Sequence, residues 1–290
     1  MNYPSEFSWK TKDNKKIYAK DWQVKDEDGT VKDIKAVICL VHGLGEHLHR
    51  YEHLAAYFNQ KDYAVMSFDH YGHGKSEGIR GHLPSFQTHM SNVGELLSQA
   101  EERYPLLPKF LYGHSMGGNI SMNYVLRHSP NIAGIVTTGA WVILPKPPSA
   151  ILVGLARMLK SITPSTQQSN ELDPKNISTD LDEVQKYIDD PLVHDKITFK
   201  AATEMLDAAK WLETYEGAIN IPALLMHGSE DLLTSPKGSR KLYQSLKGDL
   251  AYKSWEGFYH EIHNEPQKMD VFDLTYRWME SKINVWGEVS

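Results

Sequence analysis

The chain has 290 residues, of which 41% are hydrophobic, and its 31 Lys and Arg against 37 Asp and Glu give a formal net charge of -6. This length is enough for one large domain or for two small ones. Because the basic residues are scattered and form no run long enough to follow a phosphate backbone, we expect no nucleic-acid partner.

The single cysteine, Cys39, excludes an internal disulfide and is typical of a reducing compartment. The N-terminal sequence MNYPSEFSWKTKDNKK has no apolar segment of the secretory kind, and no run approaches the length of a spanning helix. We therefore expect a cytoplasmic protein, and peripheral contact with a membrane through a local patch is compatible with this location.

Six short apolar runs that end in turn residues are predicted to be buried strands. They cover residues 36–43, 63–74, 108–115, 132–140, 221–228 and 250–257. Helical patterns lie between most of these runs, for instance over 50–63, 86–104 and 117–130. Alternating strands and helices indicate βαβ units and a mostly parallel sheet, with an antiparallel hairpin from residues 6–24 at its edge.

The alternation stops between residues 141 and 217, a stretch too long to be a connecting loop. Its segment PPSAILVGLARMLKSI spaces apolar residues as an amphipathic helix does. We predict a helical cap inserted over the carboxyl ends of the strands, with residues 1–140 and 218–290 forming the core. The apolar side of this helix either packs within the cap or opens onto a binding slot, and periodicity does not separate the two.

The segment GHSMG (113–117) lies where a predicted strand ends and a helical pattern begins. G-x-S-x-G between a strand and a helix is typical of a nucleophile elbow, in which a strained turn exposes the serine at the sheet edge. The two glycines are needed because side chains there would collide with the neighbouring strand and helix. The alternative is an ordinary turn serine in a helix cap.

A serine nucleophile needs a base, and elbow proteins carry the acid and then the histidine later in the chain. Asp231 follows the fifth predicted strand and is the candidate acid, with Glu230 as its competitor. The alternative for Asp231 is that it only stabilises a turn. His260 follows the sixth strand, with His263 as a rival base. We predict that Ser115 attacks an acyl carbon, that His260 moves the proton, and that Asp231 holds the imidazole.

The tetrahedral intermediate of such a reaction needs N–H donors for its oxyanion. One candidate is the backbone N–H of Met116, directly after the serine. The other is the N–H of Leu44, in the loop after the first predicted strand. Loss of one such donor typically raises the barrier by about 3 kcal/mol, so the geometry of both loops matters.

Six longer segments carry a family resemblance. They are HGLGEHLHRY (42–51), FDHYGHGKSEG (68–78), GHSMGG (113–118), DDPLVHD (189–195), HGSEDLL (227–233) and EGFYHEIHNEP (256–266). In this order, over nearly the whole chain, they resemble the monoacylglycerol lipase and lysophospholipase branch of the α/β-hydrolases. The resemblance implies an α/β-hydrolase fold, with a mostly parallel central sheet, flanking helices and a helical cap, and it implies no cofactor and no metal.

By this resemblance the catalytic triad falls on Ser115, Asp231 and His260. The oxyanion donors fall on Leu44 and Met116. These are the residues that chain order and loop position also favour.

The resemblance further implies a polar pocket for a glycerol group and an apolar channel for the acyl chain under the cap. The pocket pattern falls on Glu46, Arg50 and His263, with His114 beside the serine. Glu46 and Arg50 have a second interpretation, since they could simply pair within one turn and fix the loop.

The sequence thus predicts a serine hydrolase of small lipid-like esters, with a monoacylglycerol as first choice and a lysophospholipid as second. The cap would supply any transient contact with a membrane or micelle, and the oligomeric state is not predicted. An aminopeptidase-like or aromatic-ester hydrolase on the same fold is the alternative. Acidic residues of the cap would suit the amino terminus of a peptide: Glu171, Asp173, Asp180, Asp182 and Glu183.

Overall fold

The computed structural model describes residues 5–26, 29–30 and 32–289, without the side chains of 284, 285 and 287–289. Residues 1–4, which belong to the segment in which no secretory leader is expected, lie outside the described residues. The strands, in chain order, are β1 (Glu6–Lys10), β2 (Lys16–Trp22), β3 (Ala36–Val41), β4 (Tyr63–Phe68), β5 (Lys109–His114), β6 (Gly134–Thr138), β7 (Gln167–Ser169), β8 (Lys196–Thr198), β9 (Gly217–Ala218), β10 (Ala223–Gly228), β11 (Leu246–Lys247) and β12 (Leu250–Trp255).

Eight of these strands form one sheet in the order β1-β2-β4-β3-β5-β6-β10-β12. The strands β4, β3, β5, β6, β10 and β12 pair in parallel, each with the next in this sheet order. At the other edge, β1 pairs with β2, and β2 with β4, in antiparallel register. The six predicted strands and the edge hairpin are therefore confirmed. Five of the six, β3, β4, β5, β6 and β10, are buried along their whole length, which is typical of parallel strands covered on both faces.

Helices cover both faces of the sheet. They are α1 (Glu52–Asn59), α2 (Phe86–Arg103), α3 (Met116–His128), α4 (Ala150–Ile162), α5 (Leu181–Asp189), α6 (Phe199–Glu213), α7 (Pro236–Ser245) and α8 (Lys268–Val289). Along β3, Ile38 and Leu40 pack with α1 and α8, while Val37 and Cys39 pack with α2, α3 and α7. This period of two follows from the alternating direction of side chains along a strand.

The segment from residue 141 to 217, here called the insertion, contains α4, α5, α6 and the two-stranded antiparallel ribbon β7–β8. The helix predicted from its apolar spacing is confirmed as α4. The apolar side chains of α4 are nevertheless open to solvent, with Ile151 84% and Ile162 69% exposed. In contrast, Met205 and Leu212 of α6 are buried in the same core cluster as α2 and α3. The domain boundaries stay a prediction.

Candidate active site

The sharp turn between β5 and α3 sets the position of Ser115. The backbone of this residue has φ 55 and ψ -117, a conformation that costs a side-chain-bearing residue roughly 1–3 kcal/mol. A Cβ atom on Gly117 would lie 2.1 Å from the carbonyl oxygen of Val41, and one on Gly113 would lie 2.6 Å from that of Gly117. Only glycine fits at both places, so the two glycines of the motif are what allows the tight turn that holds Ser115 in its strained conformation.

Three side chains beyond the carboxyl ends of parallel strands in the same sheet form one hydrogen-bonded chain. Ser115 Oγ lies 2.9 Å from Nε2 of His260, and Nδ1 of His260 lies 2.6 Å from Oδ2 of Asp231. These residues follow β5, β12 and β10 respectively, and all three are buried. The competing acid Glu230 is exposed, and the rival base His263 packs behind the chain rather than within it. The predicted triad residues therefore meet.

The surroundings of Asp231 keep its carboxylate charged. Oδ1 accepts the backbone N–H groups of Leu233 and Thr234 at 2.8 and 2.9 Å. Oδ2 accepts from His260 and, at 2.9 Å, from His227. Burial raises the pKa of Asp231, but the charge of His260 and the hydrogen bonds from both histidines outweigh it and hold the pKa well below its usual range.

The same pairing makes His260 a better base. Burial lowers the pKa of this imidazole, but the nearby charge of Asp231 and its hydrogen bond raise it by more, so the net direction is upward. A raised pKa increases the affinity of Nε2 for the proton that it would take from Ser115 in the predicted reaction.

The two predicted oxyanion donors are the backbone N–H groups of Met116 and Leu44, and both residues lie close to Ser115 in the structure. Met116 is the first residue of α3, so its N–H has no acceptor within the helix. Leu44 borders the pocket beside Ser115. The loop of Leu44 is held by Glu46, whose Oε1 accepts the N–H of Gly43 at 2.6 Å. Both donors stay predictions.

The polar end of the site is formed by three buried charged side chains, those of Glu46, Arg50 and Glu261. Arg50 Nη1 donates to Oε2 of Glu46 at 2.7 Å, and the two Arg50 Nη atoms donate to both oxygens of Glu261 at 2.6 and 2.7 Å. The guanidinium also lies 4.6 Å from the ring centroid of Tyr187, on α5. Although burial raises the pKa of a carboxyl group, the charge and hydrogen bonds of Arg50 lower that of Glu261 to about 2.

Glu261 is absent from the predicted site residues, although it directly follows His260 in the sequence. The pairing of Glu46 with Arg50 within one turn, one of the two interpretations above, is present. One signal could have identified Glu261: an acidic residue next to the predicted base, at the same sheet edge as an arginine.

The pocket at Ser115 is narrow. Both carboxylates, Glu46 and Glu261, line it, together with side chains from the insertion. The four insertion residues are Leu172, Pro174, Ile177 and Tyr187. Its free volume is about 20 Å³, room for about one water molecule, so the pocket as it stands is too small for an ester with an acyl chain.

The two predicted pocket histidines lie in different places. His114 lines the pocket, and its Nδ1 lies 3.0 Å from Oγ1 of Thr138. Burial lowers the pKa of His114 to about 3, so the ring is neutral. His263 has no exposed surface, stacks on Tyr51 at 4.8 Å between ring centroids, and meets the edge of His114 at 4.7 Å. It therefore reaches the pocket only through His114.

The acidic residues of the insertion lie elsewhere. Asp173 and Asp180 cap short helices by accepting the backbone N–H groups of Lys175 and Asp182. None of the five borders the pocket as described. Among residues 5–26, 29–30 and 32–289, the His, Cys, Asp and Glu side chains form no group of three that could hold a metal ion.

The chain matches the family model described as serine aminopeptidase, S33, over residues 32–267. It is 34% identical over 278 residues to an uncharacterized abhydrolase domain-containing protein of Dictyostelium discoideum; the match covers 94% of this chain but only 28% of that longer protein. It is 33% identical over 253 residues to a monoacylglycerol lipase of Mycolicibacterium smegmatis, covering 87% of this chain and 90% of the relative. The crystal structure of Paleococcus ferrophilus monoacylglycerol lipase superposes with a TM-score of 0.81 at 35% identity, covering 92% of this chain and 99% of that one.

The chain is an α/β-hydrolase and belongs to the family that the serine aminopeptidase, S33, model describes. Within this family it is a carboxylic ester hydrolase that is similar to monoacylglycerol lipases. The predicted fold class and family are thereby confirmed.

Proposed function

We propose that this protein hydrolyses monoacylglycerols to glycerol and a fatty acid through an acyl-enzyme on Ser115. The hydrogen-bonded chain from Ser115 to Asp231 supports this reaction, as does the similarity to monoacylglycerol lipases. His260 takes the proton of Ser115 as Oγ attacks the ester carbon, and the N–H groups of Leu44 and Met116 stabilise the oxyanion. His260 then protonates the departing glycerol oxygen, and water releases the fatty acid by the same steps.

One observation favours a glycerol group over a phosphate: the polar end of the pocket is acidic. The carboxylates of Glu46 and Glu261 accept hydrogen bonds, as the hydroxyls of glycerol require. Arg50 is already bonded to both, so it is not free to hold a phosphate. A phosphate about 5 Å from one carboxylate is repelled by about 3 kcal/mol at an effective dielectric constant of about 20, and Arg50 offsets part of that. We expect a preference for monoacylglycerol over an anionic lysophospholipid of at least about tenfold.

The test is competitive hydrolysis with the purified chain. Substrates are 1-monoacylglycerols of several chain lengths, lysophosphatidylcholine, lysophosphatidylglycerol, a triacylglycerol and an aminoacyl amide, with Ser115→Ala as the blank. We expect the monoacylglycerols to be cleaved fastest and Ser115→Ala to be inactive. Fastest cleavage of a lysophospholipid would make the protein a lysophospholipase, and fastest cleavage of the amide would make it an aminopeptidase-like enzyme. Activity of Ser115→Ala within tenfold of wild type would overturn the nucleophile assignment.

A single substitution tests the acidic end directly. Glu261→Gln keeps the size of the side chain and removes its charge, so the preference over lysophosphatidylglycerol should fall severalfold. Glu183→Gln is the control, because Glu183 is an acid of α5 that pairs with Lys186 and Lys268 outside the pocket. An equal preference in both variants would show that the charge of Glu261 does not select the substrate.

We further propose that α4 touches the lipid surface from which such substrates come. Its exposed apolar side chains Ile151, Leu152 and Ile162 would gain by leaving water, and the formal net charge of -6 favours a neutral surface over an anionic one. No helix in the described part of the chain is long and apolar enough to cross a membrane.

Sedimentation with phosphatidylcholine vesicles tests this contact. We expect the double substitution Ile151→Ser and Ile162→Ser to lower the bound fraction at least about fivefold. Leu106→Ser is the control, since Leu106 is 90% exposed on the loop after α2. Equal binding of the two variants would exclude α4 as the contact.

We propose a cytoplasmic location for the chain. Support comes from its single cysteine, Cys39, which is free and buried. Cell fractionation with an antibody to the protein would test the location, and recovery in a secreted fraction would contradict it.

A further inference from the structure

A second imidazole contacts the acid of the triad. His227, in β10, is fully buried, and its Nε2 lies 2.9 Å from Oδ2 of Asp231. The same oxygen receives Nδ1 of His260 at 2.6 Å. On the other side of the ring, Nδ1 of His227 lies 2.7 Å from Oγ of Ser239, a fully buried residue of α7. A continuous line of hydrogen bonds thus runs from α7 to Ser115.

The neighbours of His227 determine which ring nitrogen carries the proton. Nε2 faces the carboxylate of Asp231 and, at 3.3 Å, the carbonyl oxygen of Thr234, and both of these groups only accept. The hydroxyl of Thr234, at 3.4 Å, has nearer acceptors in Gly139 O and Asp231 Oδ2. Nε2 therefore donates. In the neutral ring Nδ1 is then bare and accepts the hydroxyl proton of Ser239.

We propose that His227 and Ser239 form a positioning pair, which fixes the carboxylate of Asp231 towards His260 and takes up part of its charge. With Oδ1 held by two backbone N–H groups and Oδ2 by two imidazoles, the carboxylate cannot rotate without breaking several bonds. Ser239 acts one step further back, since it keeps the donor proton of His227 on Nε2. This inference rests on the proposed triad.

Loss of the hydrogen bond from His227 Nε2 to Asp231 has two consequences that can be measured separately. The charge of Asp231, no longer shared, acts more strongly on His260 and raises the pKa of that imidazole further. The acid limb of the pH profile of kcat/KM should then move to higher pH, by about half a unit to one unit. The loosened carboxylate should also lower kcat about 3- to 30-fold while KM stays within twofold, because substrate does not touch His227.

Other charged and titratable groups face His260 and stay in place in these variants. They are His114, at 4.7 Å between ring centroids, and the carboxylates of Glu46 and Glu261, which also raise the pKa of His260. A shift of the acid limb on changing residue 227 therefore reports the link through Asp231.

The experiment compares His227→Leu, His227→Gln and Ser239→Ala with wild type, on a soluble p-nitrophenyl ester from about pH 5 to about pH 9. Gln offers an N–H close to the place of Nε2, so His227→Gln should restore most of kcat and return the acid limb towards wild type. Ser239→Ala should move both readouts in the same direction as His227→Leu, but less. His89→Leu is the matched control, because His89 is equally buried in α2 and contacts His70 and Phe86.

An acid limb of His227→Leu that superposes on wild type would overturn the proposal, as would equal losses in His227→Leu and His227→Gln, which indicate packing alone. If His227→Leu does not fold, the limb of Ser239→Ala decides, and no movement there refutes the pair. Failure of the triad itself looks different, since Ser115→Ala would then keep its activity. An inactive Ser115→Ala with an unmoved His227→Leu profile would refute only the positioning pair.

Discussion

Substituting Ser115 by glycine and by alanine measures the strain that the elbow stores. Both substitutions remove the hydroxyl and its hydrogen bond to His260, so this loss cancels in the comparison. Only alanine keeps a Cβ atom at φ 55 and ψ -117, a conformation that glycine adopts readily and alanine does not. The difference between the two free energies of unfolding therefore isolates the backbone.

The magnitude follows from two opposing terms. Release of the strain stabilises Ser115→Gly by roughly 1–3 kcal/mol relative to Ser115→Ala. The greater conformational freedom of glycine in the unfolded chain lowers the free energy of unfolding of Ser115→Gly by about 0.5–1 kcal/mol relative to Ser115→Ala. We expect Ser115→Gly to be more stable than Ser115→Ala by about 1 kcal/mol.

Urea unfolding followed by far-UV circular dichroism measures the difference, and Ser121 provides the control. Ser121 is buried in the middle of α3, where the backbone is helical. There Ser121→Gly should be less stable than Ser121→Ala by about 1 kcal/mol, the opposite order. The same order at both positions, with alanine the more stable, would refute the strain at the elbow.

Two further predictions concern pH and the close approach of the backbone. Burial lowers the pKa of His42, His70 and His73 well below the usual 6.5. Because the unfolded chain binds these protons and the folded chain does not, stability should fall as the pH drops below about 6.5, by roughly 1.4 kcal/mol per pH unit for each histidine; equal urea midpoints at about pH 7.5 and about pH 5.5 would contradict this. Gly117→Ala brings a Cβ within 2.1 Å of the Val41 carbonyl oxygen, so we expect esterase activity to fall at least about 100-fold, and wild-type rates in a folded variant would show that the approach is dispensable.

The sequence predicted best those features that depend on residues close together in the chain. Apolar runs ended by turn residues predict buried parallel strands, because such strands are covered on both faces. The positions of Ser115, Asp231 and His260 follow from the ends of three of those strands, and the structure brings them within hydrogen-bond distance. These inferences needed only neighbouring residues and chain order.

What could not be predicted depends on distant partners. The role of Glu261 is defined by Arg50, 211 positions away, so it could be found only by placing both residues at the same sheet edge and not from a local pattern. The apolar spacing of α4 predicts a helix with an apolar side, but not that Ile151 on that side stays exposed. No sequence pattern singles out His227, because its contact with Ser239 requires α7 to pack on β10.

The bond between Arg50 and Glu261 also has a consequence for synthesis. Arg50 leaves the ribosome long before Glu261, so during that interval Glu46 is the one carboxylate of the site that can pair with it. His260 directly precedes Glu261, so the predicted general base and the last charged residue of the site are synthesised together. A chain that ends before residue 260 lacks both His260 and Glu261, so it would have no general base, and the guanidinium of Arg50 would keep only one of its two carboxylate partners.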